Sequence, residues 1–177
     1  MRVTAGIFKG RVLKRMDWTG TKPTTDMVRQ AVCNYLTNRY DFEDCVFLDL
    51  FSGSGAVSLE FISRGAKKVM SVDYYKKCNA YVKEVREEWS INPDTWEIEQ
   101  AKVLSFLVGC IEKYDVVWAD PPYDDMNIEK VIDFILDSKV IAENGIFVLE
   151  HKVGLSFRTD RLIETKKYGD TILSFYK

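Results

Sequence analysis

The sequence is poor in the residues from which metal sites and disulfide frameworks are built. Its 177 residues include one histidine and four cysteines, with no Cys-x-x-Cys pair. This scarcity argues against a zinc site, and we expect no bound metal. We expect the cysteines to be free, buried thiols in a reducing compartment; they are Cys33, Cys45, Cys78 and Cys110.

Long apolar runs are also missing. No segment approaches the roughly 20 apolar residues that a membrane-spanning helix needs, and residues 1–6 lack the apolar core of a secretory signal. Hydrophobic residues still make up 46% of the chain, which is too many for a disordered protein. We therefore expect a soluble, cytoplasmic, monomeric protein of one domain with a short extension and no membrane contacts.

Charge is distributed unevenly along the chain. Residues 1–39 carry eight Lys and Arg against two Asp, a net charge of +6, whereas residues 40–177 carry 17 Lys and Arg against 25 Asp and Glu, a net charge of −8. A basic segment on an acidic body favours contact with a polyanion, because phosphate groups are the usual partners of such a patch. We interpret residues 1–39 as a basic extension packed on a core of residues 40–177; the alternative is a merely solvated arm.

The extension contains a turn signal and a helix signal. Residues 2–5 and 11–14 are short apolar and basic segments joined by a stretch with a glycine at each end, which predicts a β-hairpin or bent ribbon. Residues 23–26 then supply residues that cap the start of a helix. The helix has an apolar face and leaves Arg29 on another face; the apolar positions are Val28, Ala31, Val32, Tyr35 and Leu36.

From residue 45 onward, strand and helix patterns alternate. The predicted strands are residues 45–51, 68–73, 96–101, 114–120, 145–151, 161–167 and 171–176, and the predicted helices are residues 55–64, 75–90, 102–111 and 127–138. This alternation predicts an α/β fold with a parallel sheet and helices on both faces. Only residues 168–170 separate the last two strands, a connection that permits antiparallel pairing and is too short for a crossover.

A glycine turn follows the first of these strands. Asp49 lies inside the strand, Gly53 and Gly55 follow it, and Ser58 stands where a dinucleotide-binding fingerprint has its third glycine, which disfavours a nicotinamide oxidoreductase. The order Asp-x-x-x-Gly-x-Gly resembles the first motif of the Rossmann-like S-adenosylmethionine (SAM) dependent methyltransferases. The resemblance implies that the turn approaches the methionine part of SAM and that the acid helps to position it.

A second acid, Asp73, ends the next strand. A carboxylate there can accept hydrogen bonds from both ribose hydroxyls of NAD or SAM, although it could also simply cap a helix. In the methyltransferases an Asp or Asn often contacts the adenine amine at the position where this chain has Lys102 and Val103. Either the backbone recognises the adenine there, or the site binds SAM more weakly. The predicted cofactor-binding residues are Asp49, Phe51, Ser52, Gly53, Ser54, Gly55, Asp73, Tyr74, Lys102 and Val103.

The motif Asp120-Pro121-Pro122-Tyr123 directly follows the strand at residues 114–119. Two consecutive prolines fix the backbone and remove two N–H donors, which leaves carbonyl groups and the acid as acceptors. These acceptors suit an exocyclic amine, because hydrogen bonds from the amine would raise the electron density on its nitrogen and hold it in line with a methyl donor. We predict that Asp120, Pro121, Pro122 and Tyr123 form the catalytic motif, with Tyr123 stacking on the base.

Together the motifs resemble one family, the bacterial 16S ribosomal RNA guanine-N2 methyltransferases of the small-subunit methyltransferase D type. The resemblance covers nearly the whole chain and rests on residues 2–6, 9–11, 23–26, 28–29, 34, 49–55, 63–66, 120–123 and 168–171. It implies a Rossmann-like class I fold, a seven-stranded, mostly parallel sheet with the last strand antiparallel, preceded by a β-ribbon and a helix. It also implies methylation of the guanine at nucleotide 966 of 16S rRNA, in the small ribosomal subunit or an assembly intermediate. The residues expected to contact RNA are Arg2, Lys9, Arg11, Lys22, Thr24, Thr25 and Arg29.

Two other functions remain open from the sequence. Asp-Pro-Pro-Tyr also serves adenine-N6 methyltransferases acting on DNA or RNA, and the fold could persist as a non-catalytic RNA-binding module. The match of the N-terminal segment favours guanine, and the intact acids Asp49, Asp73 and Asp120 argue against the non-catalytic alternative. We expect His151 to be a structural histidine rather than a catalytic base.

Overall fold

A computed structural model describes residues 1–14, 16, 24–122, 128–155, 157 and 160–177. The helices are α1 (Asp26–Thr37), α2 (Ala56–Ser63), α3 (Lys76–Glu88), α4 (Val103–Gly109) and α5 (Ile128–Asp137), with a short 3-10 helix at Phe42–Asp44. The strands are β1 (Val46–Leu50), β2 (Lys68–Asp73), β3 (Trp96–Gln100), β4 (Tyr114–Ala119), β5 (Ile141–Lys152), β6 (Leu162–Tyr168) and β7 (Thr171–Tyr176).

The strands form one seven-stranded sheet in the order β3-β2-β1-β4-β5-β7-β6. The first five strands of this order pair in parallel, and β7 runs antiparallel to both β5 and β6. This topology confirms the predicted Rossmann-like sheet with an antiparallel last strand. Strand order reverses between β1 and β4, so their carboxyl ends flank the crevice where such sheets bind ligands.

Each face of the sheet has its own apolar core. On one face α1, α2 and α3 pack over side chains such as Phe47, Val116 and Trp118, and the Phe47 ring stacks on Phe61 with 3.7 Å between ring centroids. On the other face α4 and α5 cover a second set of side chains, which includes Leu48 and Val117. Helices on both faces explain why the central strands are apolar throughout rather than alternating.

The predicted N-terminal ribbon is present: Arg2 and Val12 form an antiparallel bridge, and the Val3 backbone N donates to the Arg11 carbonyl at 3.0 Å. The predicted elements are otherwise present, with two differences. β5 begins at Ile141 rather than at residue 145, and its register against β4 shifts between Tyr114 and Val116. The 3-10 helix at Phe42–Asp44 was not predicted, because so short a turn has no apolar periodicity to reveal it.

The N-terminal ribbon, residues 1–14, packs on α2. Thr4 donates from its backbone N and from Oγ1 to the fully buried Glu60, at 2.9 and 2.5 Å, and the Ile7 backbone N donates to the Ser63 carbonyl at 2.7 Å. Gly6 lies so close to α2 that a Cβ on it would sit 1.6 Å from the Ser63 carbonyl oxygen. The ribbon is therefore held by backbone contacts that need glycine at position 6.

Across the described ranges, no helix is both long and apolar enough to cross a membrane. Cys33, Cys45 and Cys78 are buried free thiols, as predicted, whereas Cys110 is only half-buried.

Candidate active site

A cavity of about 930 Å³ opens at the carboxyl ends of β1, β2 and β4. Among the residues predicted to bind the cofactor, all but Gly55 line it. Of the predicted catalytic motif, Asp120 and Pro122 line the cavity, whereas Pro121 is buried and does not line it. Tyr123 lies outside the described residues. The structure thus brings the glycine turn and the proline-locked acid to one cavity, although they are far apart in sequence.

The turn needs its two glycines for partly different structural reasons. Both have positive φ, +52° at Gly53 and +69° at Gly55, a conformation that side chains rarely adopt. A Cβ on Gly55 would also sit 2.8 Å from the ring of Trp96, so this glycine is needed for packing. Gly53 faces the cavity, and its backbone N donates to Asp73 at 2.8 Å.

Asp73 links the turn to the start of α3. Its two carboxylate oxygens accept from the backbone N of Gly53 and of Tyr75, the residue that caps α3, both at 2.8 Å. It therefore makes the helix-capping contact that was the alternative interpretation of this acid. It also lines the cavity, where its carboxylate can accept a hydrogen bond from a ligand hydroxyl.

Asp49 is 1% exposed and receives a chain of hydrogen bonds. Trp96 Nε1 donates to Ser71 Oγ at 2.8 Å, the Ser71 and Ser58 hydroxyls are 2.6 Å apart, and Ser58 Oγ donates to Asp49 at 2.5 Å. The ionised Asp49 carboxylate can only accept, so Ser58 gives its hydrogen to Asp49, and Ser71, which accepts from the indole, donates to Ser58. Burial raises the pKa of Asp49 to about 7, although the hydrogen bonds from Ser58 act in the opposite direction.

Ser58 has a clear reason to replace the third glycine of a dinucleotide fingerprint. Its backbone N also donates to Asp49, at 3.1 Å, in the first turn of α2. Gly55, at the cap position, has no side chain to satisfy these N–H groups, so Asp49 does so from the neighbouring strand. The sequence pattern placed Asp49 correctly but contained no signal for this chain of donors.

Asp120 faces a second acid on the next strand. Ala119 pairs with Leu149, so Asp120 and Glu150 follow equivalent positions on β4 and β5. Thr24 Oγ1 lies 2.9 Å from a carboxylate oxygen of Glu150 and 3.4 Å from one of Asp120. Burial, Glu150 and Asp49 raise the pKa of Asp120 well above its usual value, and the hydrogen bond from Thr24 lowers it.

Some of the residues predicted to contact RNA are exposed, and others are buried. Arg2, Lys9 and Arg11 are exposed on the N-terminal ribbon, and the Arg11 guanidinium lies 4.0 Å from the ring centroid of Trp89. Thr25 is the exposed N-cap of α1, accepting from the Val28 backbone N. Lys22 lies outside the described residues.

The prediction for Arg29 is wrong. Its side chain is 1% exposed, and its guanidinium donates to the carbonyls of Thr24 and Arg2 and to the carboxylate of Asp26, at 2.6, 2.9 and 2.6 Å. These acceptors offset the cost of burying the charge and leave it no face toward RNA. Thr24 is likewise buried, at 8% exposure, and lines the cavity beside Asp120 instead of lying on an outer surface.

Several lining residues carried no signal that sequence reasoning could have used. Met1 and Met16 of the N-terminal extension line the cavity, and so does Trp118, which lies inside β4. Glu150 was detectable in principle, as an acid near the end of a predicted strand.

His151 is buried between Ser174 Oγ and the Lys152 carbonyl, at 2.8 and 3.1 Å, in agreement with the predicted structural role.

The chain is similar along its whole length to known proteins. The family model described as Conserved hypothetical protein 95 matches residues 1–177. The Bacillus subtilis protein YlbH is 31% identical over 183 residues, which cover 100% of this chain and 98% of that protein. Ribosomal RNA small subunit methyltransferase D of Haemophilus influenzae is 28% identical over 152 residues, 85% of this chain and 78% of that enzyme.

A solved structure agrees over the full length. The Thermus thermophilus hypothetical protein TTHA0928 is 27% identical, covers 100% of this chain and 99% of its own, and superposes with a TM-score of 0.87. The match therefore includes the N-terminal ribbon and α1 as well as the sheet. This chain belongs to the Conserved hypothetical protein 95 family, that of the ribosomal RNA small subunit methyltransferases D.

Proposed function

We propose that this protein is a SAM-dependent methyltransferase that methylates the exocyclic N2 amine of a guanine in 16S rRNA, at nucleotide 966. The observation that carries the proposal is the shared cavity, into which the glycine turn after β1 and Asp120 after β4 both open. Membership of a ribosomal RNA methyltransferase family supports rRNA as the substrate. The guanine and its position rest on the family resemblance of the sequence motifs.

The residues around the turn fit SAM. SAM supplies an electrophilic methyl group on a positively charged sulfur. Asp73 is placed to accept hydrogen bonds from two ribose hydroxyls, and the glycine turn lets backbone approach the methionine part. Val103 begins α4, whose start has no side-chain cap, so its backbone N is available for the adenine ring.

Asp120, which lines the cavity, is the acceptor for the target amine. The lone pair of a guanine N2 amine is delocalised into the ring, which makes it a weak nucleophile. Accepting its N–H groups raises the electron density on nitrogen and orients it toward the methyl group. With SAM bound, the new N–C bond would form as the C–S bond breaks, and the nitrogen would lose one proton to water.

The basic segment accounts for the choice of a large anionic substrate. Arg2, Lys9 and Arg11 lie exposed on the N-terminal ribbon, which packs on the core beside the cavity. A base within structured RNA must leave its stack to reach Asp120, and stacking on Tyr123 would hold it there. Residues 1–39 thus serve as the RNA-contacting extension of a methyltransferase domain formed by residues 40–177.

Small-subunit particles from a strain that lacks the modification provide the test. The purified protein is incubated with labelled SAM and these particles, or with naked 16S rRNA, and the methylated nucleotide is mapped. We expect N2-methylguanine at nucleotide 966. Methylation of adenine, or no methylation of either substrate, would contradict the proposal.

Variants of Asp120 test the site within the same assay. Asp120→Ala is expected to abolish methyl transfer while SAM still binds, because the acid contacts the amine and not the cofactor. Asp94→Ala, which removes a carboxylate from an exposed loop, serves as the matched control. Retained turnover in Asp120→Ala would remove this residue from the mechanism.

A further inference from the structure

Thr24, in the N-terminal extension, reaches the carboxyl edge of the sheet. Its hydroxyl lies 2.9 Å from Glu150 and 3.4 Å from Asp120, and its side chain lines the same cavity as Asp120. Glu150 itself is 4% exposed and does not line the cavity, whereas Thr24, which contacts it, does. We propose that Thr24 is a positioning residue that holds one oxygen of Asp120 so that the other oxygen can accept the target amine.

Thr24 is itself held in place. The buried Arg29 donates to the Thr24 carbonyl at 2.6 Å and, from its other terminal nitrogen, to the Arg2 carbonyl and to Asp26. Moving Thr24 would leave this buried guanidinium short of an acceptor, which is costly. The Arg29 side chain therefore joins the N-terminal ribbon to Thr24 and the start of α1. The Thr24 hydroxyl joins them to Asp120.

The proposed role of Thr24 differs from packing because Thr24 affects the ionisation of Asp120. Among the residues that the structure describes, Glu150 on β5 and Asp49 on β1 are the carboxylates that face Asp120, and both make its ionised form less favourable. The Thr24 hydroxyl has one hydrogen, and donating it to Asp120 rather than to the nearer Glu150 favours the ionised form of Asp120. An Asp120 without Thr24 should be both less well oriented and harder to ionise, whereas a side chain that merely fills space would change neither.

The proposal rests on the proposed methyltransferase function, and Thr24→Val and Thr24→Ser test it. Valine keeps the shape of threonine without the hydroxyl, and serine keeps the hydroxyl. In Thr24→Val we expect kcat to fall about ten- to a hundredfold, with the SAM dissociation constant unchanged. Thr24→Ser should recover most of the rate. Thr37→Val, which removes a hydroxyl bonded to the Cys33 carbonyl near the other end of α1, is the control.

The dependence of kcat on pH separates positioning from packing. The acid limb of the profile should move to higher pH in Thr24→Val, and to lower pH in Glu150→Gln, which removes a neighbouring negative charge. Wild-type kcat and an unmoved acid limb in Thr24→Val would overturn the proposal. If Thr24→Val does not fold, failure of Thr24→Ser to keep the wild-type profile would overturn it instead.

A measurement without RNA distinguishes this proposal from the proposed function. Titration of ¹³C-labelled aspartate carboxyl groups in the wild type and in Thr24→Val reports the pKa of Asp120 directly, with Asp120→Asn used to assign the signal. A higher pKa in Thr24→Val supports the proposal even if the wild type methylates a different base or none. An identical pKa in the two proteins would overturn it, whatever the substrate.

Discussion

At the scale of single residues, the acids of the cavity differ in their surroundings. Asp73 accepts two backbone N–H groups, whereas Asp49 is enclosed and ends a chain of side-chain donors. Burial raises the pKa of Asp49 to about 7, so it changes charge within the physiological range. Its charge state therefore matters for a cationic ligand in the same cavity.

This pKa predicts that SAM binding depends on pH. Because the folded pKa of Asp49 is raised, the acid is largely neutral below pH 7 and ionised above it, and the positively charged SAM favours the ionised form. SAM affinity should rise with pH through about 7 and fall below it by up to about tenfold per pH unit. Calorimetric titrations between about pH 5.5 and 8.5 measure this, and Asp49→Asn should remove the dependence. An equally steep dependence in Asp49→Asn would assign it to another group.

The turn glycines provide a second prediction at this scale. Gly55→Ala must accept a positive φ and a Cβ 2.8 Å from Trp96, so it should lower the free energy of unfolding by about 1–3 kcal/mol. Gly109→Ala, at the end of α4 with nothing within 4 Å of the new Cβ, should change it by less than about 1 kcal/mol. Denaturant unfolding of both variants makes the comparison. Equal losses of unfolding free energy in the two variants would show that Trp96 moves away from the new Cβ without cost.

At the scale of elements, the sheet and its helices were predictable, but the contacts that dock the N-terminal extension on the core were not. The apolar runs of β1 and β4 and the glycine turn are local signals, and parallel pairing brings their ends together. Thr24 contacts Asp120 and Glu150, which follow it in the sequence by 96 and 126 positions. The burial of Arg29 depends on several acceptors at once. No helical periodicity can reveal such contacts.

Gly6 and Gly10 provide a matched test of ribbon docking. Both have positive φ, +79° and +85°, but a Cβ on Gly6 would collide with the Ser63 carbonyl, whereas a Cβ on Gly10 meets nothing within 4 Å. Gly6→Ala should therefore displace the ribbon and weaken rRNA binding at least several-fold more than Gly10→Ala does. Filter binding or fluorescence anisotropy with a 16S rRNA fragment measures the difference. Similar affinities would show that ribbon position does not matter for RNA.

At the scale of the whole molecule, the basic ribbon lies on a body of net charge −8. Such a body repels RNA except where the ribbon presents Arg2, Lys9 and Arg11, so the charge distribution orients the substrate as well as attracting it. RNA should therefore approach from the side of α2 on which the ribbon packs.

Replacing Arg2, Lys9 and Arg11 together by alanine should weaken RNA binding and make it less dependent on salt. Loss of up to three phosphate contacts lowers the slope of log affinity against log salt by about 2–3. Alanine at the exposed Lys67, Lys83 and Lys139 removes the same charge from elsewhere and is the control. An unchanged slope in the ribbon variant would remove the ribbon from the RNA contact.

The donor chain that begins at Trp96 also provides the protein with an optical reporter. The indole N–H is joined to the Asp49 carboxylate through Ser71 and Ser58, so a change of charge on the acid alters the electric field at the ring. The emission wavelength of Trp96 should therefore follow the ionisation of Asp49 and the arrival of a cation beside it. In a variant that keeps Trp96 as its only tryptophan, the state of the cavity could be read by fluorescence without any attached dye.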